Sequence, residues 1–104
     1  MTFETSRVIP RNHPSLAGHF PGNPIVPGVV VLDEVGAALA QWRKESRVTG
    51  ISSVKFLAPI KPDQSFVIEF NSTDTAGNQI DFWCRLGARV VVEGRLEISR
   101  GACL

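Results

Sequence analysis

The stretch from Gly18 to Asp33 reads GHFPGNPIVPGVVVLD, and it separates a loop-forming part of the chain from a helix-forming part. Five of the seven prolines lie before residue 28, which excludes a regular helix or a central strand from that segment. From Val29 to about Arg47 there is no proline, and the alanine-rich composition predicts a helix of about four to five turns.

From Ile51 onward, β-branched and aromatic residues alternate with polar ones between turn signals, which predicts β-strands. The predicted strands span 51–57, 64–71, 79–92 and 95–100, with a weaker one at 3–9. The segment from Thr73 to Asn78 is predicted to be a hairpin connection, and Glu93-Gly94 is predicted to be a tight turn. One face of these strands is expected to enter the core: Phe66, Ile68, Phe70, Ile80, Phe82, Cys84 and Leu86.

The predicted helix is apolar on two sides. Its bulky face carries Val31, Leu32, Val35, Ala38, Leu39 and Trp42. The opposite face carries small residues around Asp33: Val29, Gly36, Ala37 and Ala40. We therefore expect Asp33 to be enclosed and the neighbouring Glu34 to lie on a solvated strip with Gln41 and Glu45. A helix covered on both sides predicts one α+β domain over 1–104, an antiparallel sheet wrapped around a single central helix.

Composition excludes several classes of protein. The chain has 104 residues, 43% of them hydrophobic and 20% charged, with a formal net charge of +1. These values argue against disorder and give no electrostatic drive toward nucleic acid or anionic lipid. The longest apolar stretch, Ile25 to Leu32, is interrupted by Pro27 and is too short for a membrane span. The first residues lack the apolar core of a secretory signal, so a cytoplasmic protein is expected.

Cysteines and histidines do not indicate a metal site. Cys84 and Cys103 have no C-x-x-C spacing, which argues against a disulfide framework and a zinc site. His13 lies six residues before His19, but no third ligand follows at a suitable spacing, and it is interpreted as a loop or surface residue.

Along the chain, the opening stretch also places a candidate base first, then a helix entrance, and then a candidate acid. His19 lies in a loop stiffened by proline and can exchange a proton near neutral pH. Gly28 allows a ligand to approach the backbone where the helix begins, and no capping side chain precedes Val29. An enclosed carboxyl group at Asp33 could act as a general acid, which would allow loss of water from a hydroxyacyl thioester. The spacing alone leaves two simpler interpretations open, a structural histidine and an aspartate that serves the helix dipole.

The same residues resemble a known family. The run from His19 to Pro24, then Pro27-Gly28, and a carboxylate fourteen residues after the histidine closely resemble the 3-hydroxyacyl-[acyl-carrier-protein] dehydratases of hot-dog fold. A weaker match, from Lys55 to Gln64, resembles the strand and turn that follow the helix in that family, so the resemblance spans most of the chain. In its length and short loops the chain is similar to the small dehydratases of aryl-polyene-type pathways.

The resemblance implies a mechanism at a subunit boundary. His19 would remove the C2 proton, and Asp33 of the other subunit would protonate the departing 3-hydroxyl. The Gly28 N–H would polarise the thioester carbonyl, and Phe20, Pro27 and Val29 are expected to contact the substrate. The implied reaction needs no cofactor, and the implied assembly is a homodimer or a hetero-oligomer with a related hot-dog subunit.

The resemblance does not extend to every activity of the family. Asp33 matches the branch that can also isomerise the double bond, but Val29 replaces that branch's cysteine, so isomerase activity is not carried over. Two alternatives are a thioester hydrolase of the same fold and a catalytically silent acyl-binding partner. The presence of both His19 and Asp33 counts against the silent partner.

Basic and aromatic residues complete the set of candidates. Arg43, Lys44 and Arg47 are expected at the end of the helix, where they would offset its negative pole or dock an acidic acyl carrier protein. Lys55 and Lys61 are further docking candidates. Three large aromatic residues could line an acyl tunnel or pack in the core, and core packing is the favoured interpretation. They are Trp42, Phe66 and Phe82.

Overall fold

The structure, a computed structural model, describes residues 2–10, 25–44, 46–72 and 78–100. These ranges contain one helix and five strands, which confirms the α+β class. In chain order the elements are β1 (Thr2–Arg7), α1 (Gly28–Trp42), β2 (Ser46–Phe56), β3 (Phe66–Asn71), β4 (Gln79–Leu86) and β5 (Arg89–Arg100). No helix in the described ranges is long and apolar enough to cross a membrane.

All five strands form one antiparallel sheet in the order β1-β3-β4-β5-β2. Strands β1 and β2 are the two edges of the sheet. The predicted alternation in β3 and β4 is confirmed, because every second side chain is buried on one face: Phe66, Ile68, Phe70, Ile80, Phe82 and Cys84. Leu86, at the end of β4, packs partly buried against the same core.

Helix α1 lies on this apolar face of the sheet. Its buried side chains are Val30, Val31, Val35, Ala38 and Leu39. At its C-terminal end the Trp42 ring packs against Phe3, at 5.7 Å between centroids, and against Phe70, at 5.6 Å, while the Phe3 and Phe70 rings lie 6.4 Å apart. Phe66 and Phe82 are completely buried, so core packing is confirmed for these two aromatic residues.

The helix is shorter than predicted. It ends at Trp42, where the Arg43 N–H donates to the Leu39 carbonyl and Arg43 leaves helical geometry at φ −130° and ψ 88°. Strand β2 begins at Ser46, so Arg47 lies in a strand and not at the helix terminus. Pairing of β2 with β5 along its whole length provides the backbone hydrogen bonds that override the local helix preference.

The predicted turn at Glu93-Gly94 is wrong, because both residues lie inside β5. The chain instead turns at Gly87 and Ala88, where Gly87 adopts a φ of 60° that glycine tolerates without strain. Gly94 has a packing role. A Cβ atom there would lie 2.5 Å from the Ser53 carbonyl oxygen and 2.8 Å from the Phe82 ring, so only glycine fits.

The weak strand at 3–9 is confirmed as β1, which pairs with β3 along the edge of the sheet. Strand β2 is 11 residues long, begins earlier than predicted, and contains two register shifts against β5. The hairpin connection predicted at 73–78 lies outside the described residues except for Asn78.

Candidate active site

Helix α1 begins without a side-chain cap, which leaves backbone donors available at its entrance. Pro27 precedes the helix in an extended conformation, and no side chain accepts a hydrogen bond from the first turn. The Pro27 carbonyl accepts from the N–H groups of Val30 (3.0 Å) and Val31 (3.3 Å). The N–H groups of Gly28 and Val29 have no acceptor among the described residues. This entrance can therefore stabilise negative charge that develops on an oxygen atom.

An apolar cavity of about 510 Å³ lies beside the helix entrance. Its walls are Ile25, Val26, Gly28 and Val31 on one side, and the segment 56–60 with Val92 on the other. Backbone hydrogen bonds hold these walls in place, from Val26 N–H to the Ile60 carbonyl (2.8 Å) and from Leu57 N–H to the Val91 carbonyl (2.7 Å). The size and lining suit a small apolar ligand group.

Asp33 is exposed, contrary to the expectation that it is enclosed. It lies one helical turn after Val29, which is itself 65% exposed, and Ala37 and Ala40 on the same face are exposed too. The physical reason is that the sheet covers only the bulky face of the helix. The face of small residues has no covering element among the described residues of this chain.

Glu34 is half-buried and not solvated as expected, whereas Gln41 on the same strip is exposed and Glu45 lies outside the described residues. Arg7 reaches from β1 toward the helix, with its Nη1 atom 3.9 Å from Oε1 of Glu34. The Arg7 Nη2 group donates a hydrogen bond of 2.7 Å to Oε1 of Gln41. The weak strand β1 therefore covers part of the polar strip, and Asp33 and Glu34 do have different environments, in the reverse of the expected order.

The structure brings Pro27, Gly28 and Val29 together at the helix entrance, with Asp33 one turn further along. His19 and Phe20, the other predicted site residues, lie outside the described residues, as do His13 and Cys103. Among the residues described, no group of three metal-ligating side chains could hold a metal ion.

The predicted docking residues lie at the other end of the helix. Arg43 packs its guanidinium group over the Trp42 ring at 4.4 Å, a cation–π contact that holds it at the helix terminus. A helix of 15 residues is about 22 Å long, which separates Arg43 and Lys44 from Gly28. Lys61 follows Ile60 of the cavity wall, whereas Lys55 lines a separate surface pocket with Asp81 and Trp83.

Sequence reasoning missed Phe56 as a site residue. Its side chain is 50% exposed, lines the cavity and lies against Gly28. The residue falls inside the Lys55–Gln64 match, but an aromatic residue at the end of a strand has the same signal as a core residue. Only the position of the ring relative to the helix entrance distinguishes the two roles.

Comparisons with known proteins agree with this architecture. A family model described as "ApeI-like: ApeI dehydratase" matches residues 1–95. The 3-hydroxyacyl-[acyl-carrier-protein] dehydratase FabZ of Geobacter metallireducens is 34% identical over 95 residues, covering 82% of this chain and 61% of that protein. The corresponding FabZ of Chlamydia trachomatis serovar L2 is 33% identical over 97 residues, covering 82% and 63%. The chain thus spans less than two thirds of the length of these relatives.

Solved structures share the fold. The dehydratase heterocomplex ApeI:P from Xenorhabdus doucetiae matches with a TM-score of 0.78 and 24% identity, covering 95% of this chain and 88% of that one. A probable thioesterase from Bartonella henselae matches with a TM-score of 0.74 and 13% identity, covering 94% and 88%. At these identities the likeness shows the hot-dog fold and no more, so it does not distinguish a dehydratase from a thioesterase.

Proposed function

We propose that this chain, which belongs to the ApeI-like family, is a cytoplasmic single-domain enzyme that dehydrates (3R)-hydroxyacyl thioesters on acyl carrier protein. The product is the trans-2-enoyl thioester, in fatty-acid or polyene-type lipid biosynthesis. The observation that carries the proposal is the match of residues 1–95 to the ApeI dehydratase model, together with relatives named as FabZ dehydratases.

We assign the proton transfers to His19 and Asp33. The His19 imidazole takes the C2 proton, and the electrons of the C2–H bond form the C2–C3 double bond as the C3–O bond breaks. The Asp33 carboxyl group supplies a proton to the departing hydroxyl, which leaves as water. Positioned proton transfer of this kind contributes about 10²–10⁴-fold to a rate.

Gly28 supplies the electrostatic part of the mechanism. Removal of the C2 proton places negative charge on the thioester oxygen, and a backbone N–H at a helix entrance is a donor already oriented to receive it. The absence of a side-chain cap at Pro27 supports this role, because a capping oxygen would occupy the same position. The reaction needs no cofactor or metal ion.

Two subunits are needed to complete the site in this proposal, either two copies of the chain or this chain and a related hot-dog subunit. The exposed face around Asp33 supports a covering partner, because a carboxyl group in bulk water is a poor general acid. Edge strand β2 also presents Val48 and Ile51 to solvent, and an exposed edge of this length is a surface for strand pairing.

The acyl chain enters the apolar cavity beside Gly28, with Phe20, Pro27 and Val29 as further contacts. For the acidic carrier protein we propose basic docking residues: Arg43, Lys44, Arg47, Lys55 and Lys61. Lys61 has the better position, because it follows the cavity-wall residue Ile60 and the carrier must deliver its thioester to Gly28.

Incubation of the purified chain with a (3R)-hydroxyacyl carrier protein, followed by intact-protein mass spectrometry, tests the proposal. We expect the carrier to lose the mass of one water while the thioester stays intact. Release of free carrier thiol and a hydroxy acid would instead identify a thioesterase. An unchanged carrier would contradict the proposed activity, and binding of the hydroxyacyl carrier without turnover would identify a silent acyl-binding protein.

A further inference from the structure

The ring of Phe56 occupies the space next to Gly28 that a larger residue would need. A Cβ atom built on Gly28 would lie 2.8 Å from Cζ of Phe56, and 3.1 and 3.3 Å from its two Cε atoms. Cβ atoms of a helix point back toward its N-terminus. The tip of the Phe56 ring therefore lies beside Gly28, at the N-terminal end of the helix.

The backbone of Phe56 is firmly held although its side chain is half exposed. Phe56 is the last residue of β2 and pairs with Val92, which is buried in the core. The next residue, Leu57, donates its N–H to the Val91 carbonyl at 2.7 Å. The ring is thus attached to a backbone position held by the sheet, and it forms one wall of the cavity.

We propose that Phe56 is a specificity-determining residue that selects acyl chains unbranched at C2, an inference that rests on the proposed function. The thioester oxygen accepts from the Gly28 N–H, which brings C1 and then C2 next to the ring tip. The remainder of the chain extends away along the cavity, toward Val31 and Ile60. The ring therefore restricts substituents at C2 and does not measure the length of the tail.

The test compares two carrier-bound substrates, 3-hydroxybutyryl and 2-methyl-3-hydroxybutyryl, with wild-type enzyme, Phe56→Leu and Phe56→Ala. One methyl group in an apolar pocket changes kcat/KM by about 10–200-fold. We expect the wild type to prefer the unbranched substrate at least about tenfold, and both variants to reduce that ratio about tenfold. Val8→Ala removes an equally exposed apolar side chain outside the cavity, and it should keep the wild-type ratio.

A second comparison tightens the contact from the Gly28 side. Gly28→Ala places a methyl group against the Phe56 ring and should lower turnover of both substrates, whereas Gly28→Ala combined with Phe56→Leu should recover part of it. An unbranched series of longer chains should show the same length preference in wild type and Phe56→Leu.

The outcomes separate this inference from the function on which it rests. A wild type that dehydrates neither substrate, nor any longer unbranched one, would overturn the proposed function and the inference with it. A wild type that dehydrates the unbranched substrate, with a branched-to-unbranched ratio unchanged in folded Phe56→Leu, would overturn the inference alone.

Discussion

Arg7 on the edge strand β1 and Gln41 on helix α1 are joined by a hydrogen bond of 2.7 Å between Nη2 and Oε1. The same guanidinium group lies 3.9 Å from the Glu34 carboxylate, so one side chain connects β1 to the polar strip of the helix. Strand β1 is short and pairs with the sheet on one side only, so this connection adds to its attachment.

Replacement of Arg7 by alanine should lower the free energy of unfolding by about 0.5–1.5 kcal/mol, the net value of a typical hydrogen bond. Urea titration followed by circular dichroism measures the change. Arg89→Ala is the matched control, since Arg89 is exposed and has no ion pair among the described residues. Equal effects of the two substitutions would show that the Arg7 contacts contribute nothing specific.

Asp33 and Glu34 are adjacent carboxylates, and we expect that replacing each with its amide changes the dehydration rate to a different extent. Asp33→Asn should reduce dehydration about 10²–10⁴-fold, as should His19→Ala, because each removes one proton transfer. Glu34→Gln should change the rate by no more than a few-fold, because the Glu34 carboxylate faces Arg7 of β1 and lies off the Asp33 face. Steady-state kinetics on one hydroxyacyl carrier protein gives all three values, and a comparable loss in Glu34→Gln would contradict the assignment of helix faces.

Gly94→Ala should destabilise the fold by about 1–3 kcal/mol, the usual cost of forcing an extra methyl group into a packed site. The added atom would meet the Ser53 carbonyl oxygen at 2.5 Å and the Phe82 ring at 2.8 Å. Thermal unfolding compared with Gly50→Ala provides the control, because the nearest atom at Gly50 is a side-chain carbon of Glu97 at 3.7 Å. Unfolding temperatures that fall equally would show that the packing around Gly94 is not specific.

Burial raises the pKa of the Cys84 thiol from 9.0 to about 12. In the unfolded chain the thiol loses its proton near pH 9 while the folded chain retains it, so this contribution to stability is complete below pH 9 and declines as the pH rises toward 12. Over that window the slope is at most about 1.4 kcal/mol per pH unit. Urea unfolding of Cys84→Ala at several pH values from 8 to about 10.5 should show a free energy of unfolding that falls less steeply with pH than that of the wild type. Identical slopes would mean that Cys84 does not ionise on unfolding.

The β-sheet was the part of the fold that local patterns predicted best. The alternation of Phe66, Ile68 and Phe70 with polar residues depends only on the two-residue repeat of a strand, and it survives in the packed structure. The turn was misplaced because Gly94 has the same signal as a turn glycine, while its role depends on Ser53 and Phe82 from other strands. Pairing with β5 likewise decides that Arg47 is in a strand.

The candidate site was predictable in its residue types and only partly in its geometry. The spacing correctly indicated an uncapped helix entrance at Gly28 with a carboxylate one turn beyond Val29. The pattern of small residues predicted an enclosed Asp33, which is exposed in the described part of the chain, because an apolar pattern does not specify which surface covers it. The contact between Phe56 and Gly28 joins residues 28 positions apart, and no local signal reports it.

In the proposed arrangement the base and the acid of one site come from two subunits, and complementation tests this most directly. His19→Ala and Asp33→Asn subunits with different affinity tags are coexpressed, and dimers carrying both tags are purified. Each mixed dimer of two-fold arrangement then holds one site with both groups intact, so we predict about half the wild-type kcat. Mixed dimers as inactive as the two parent variants would contradict the claim, since the two groups would then belong to one subunit.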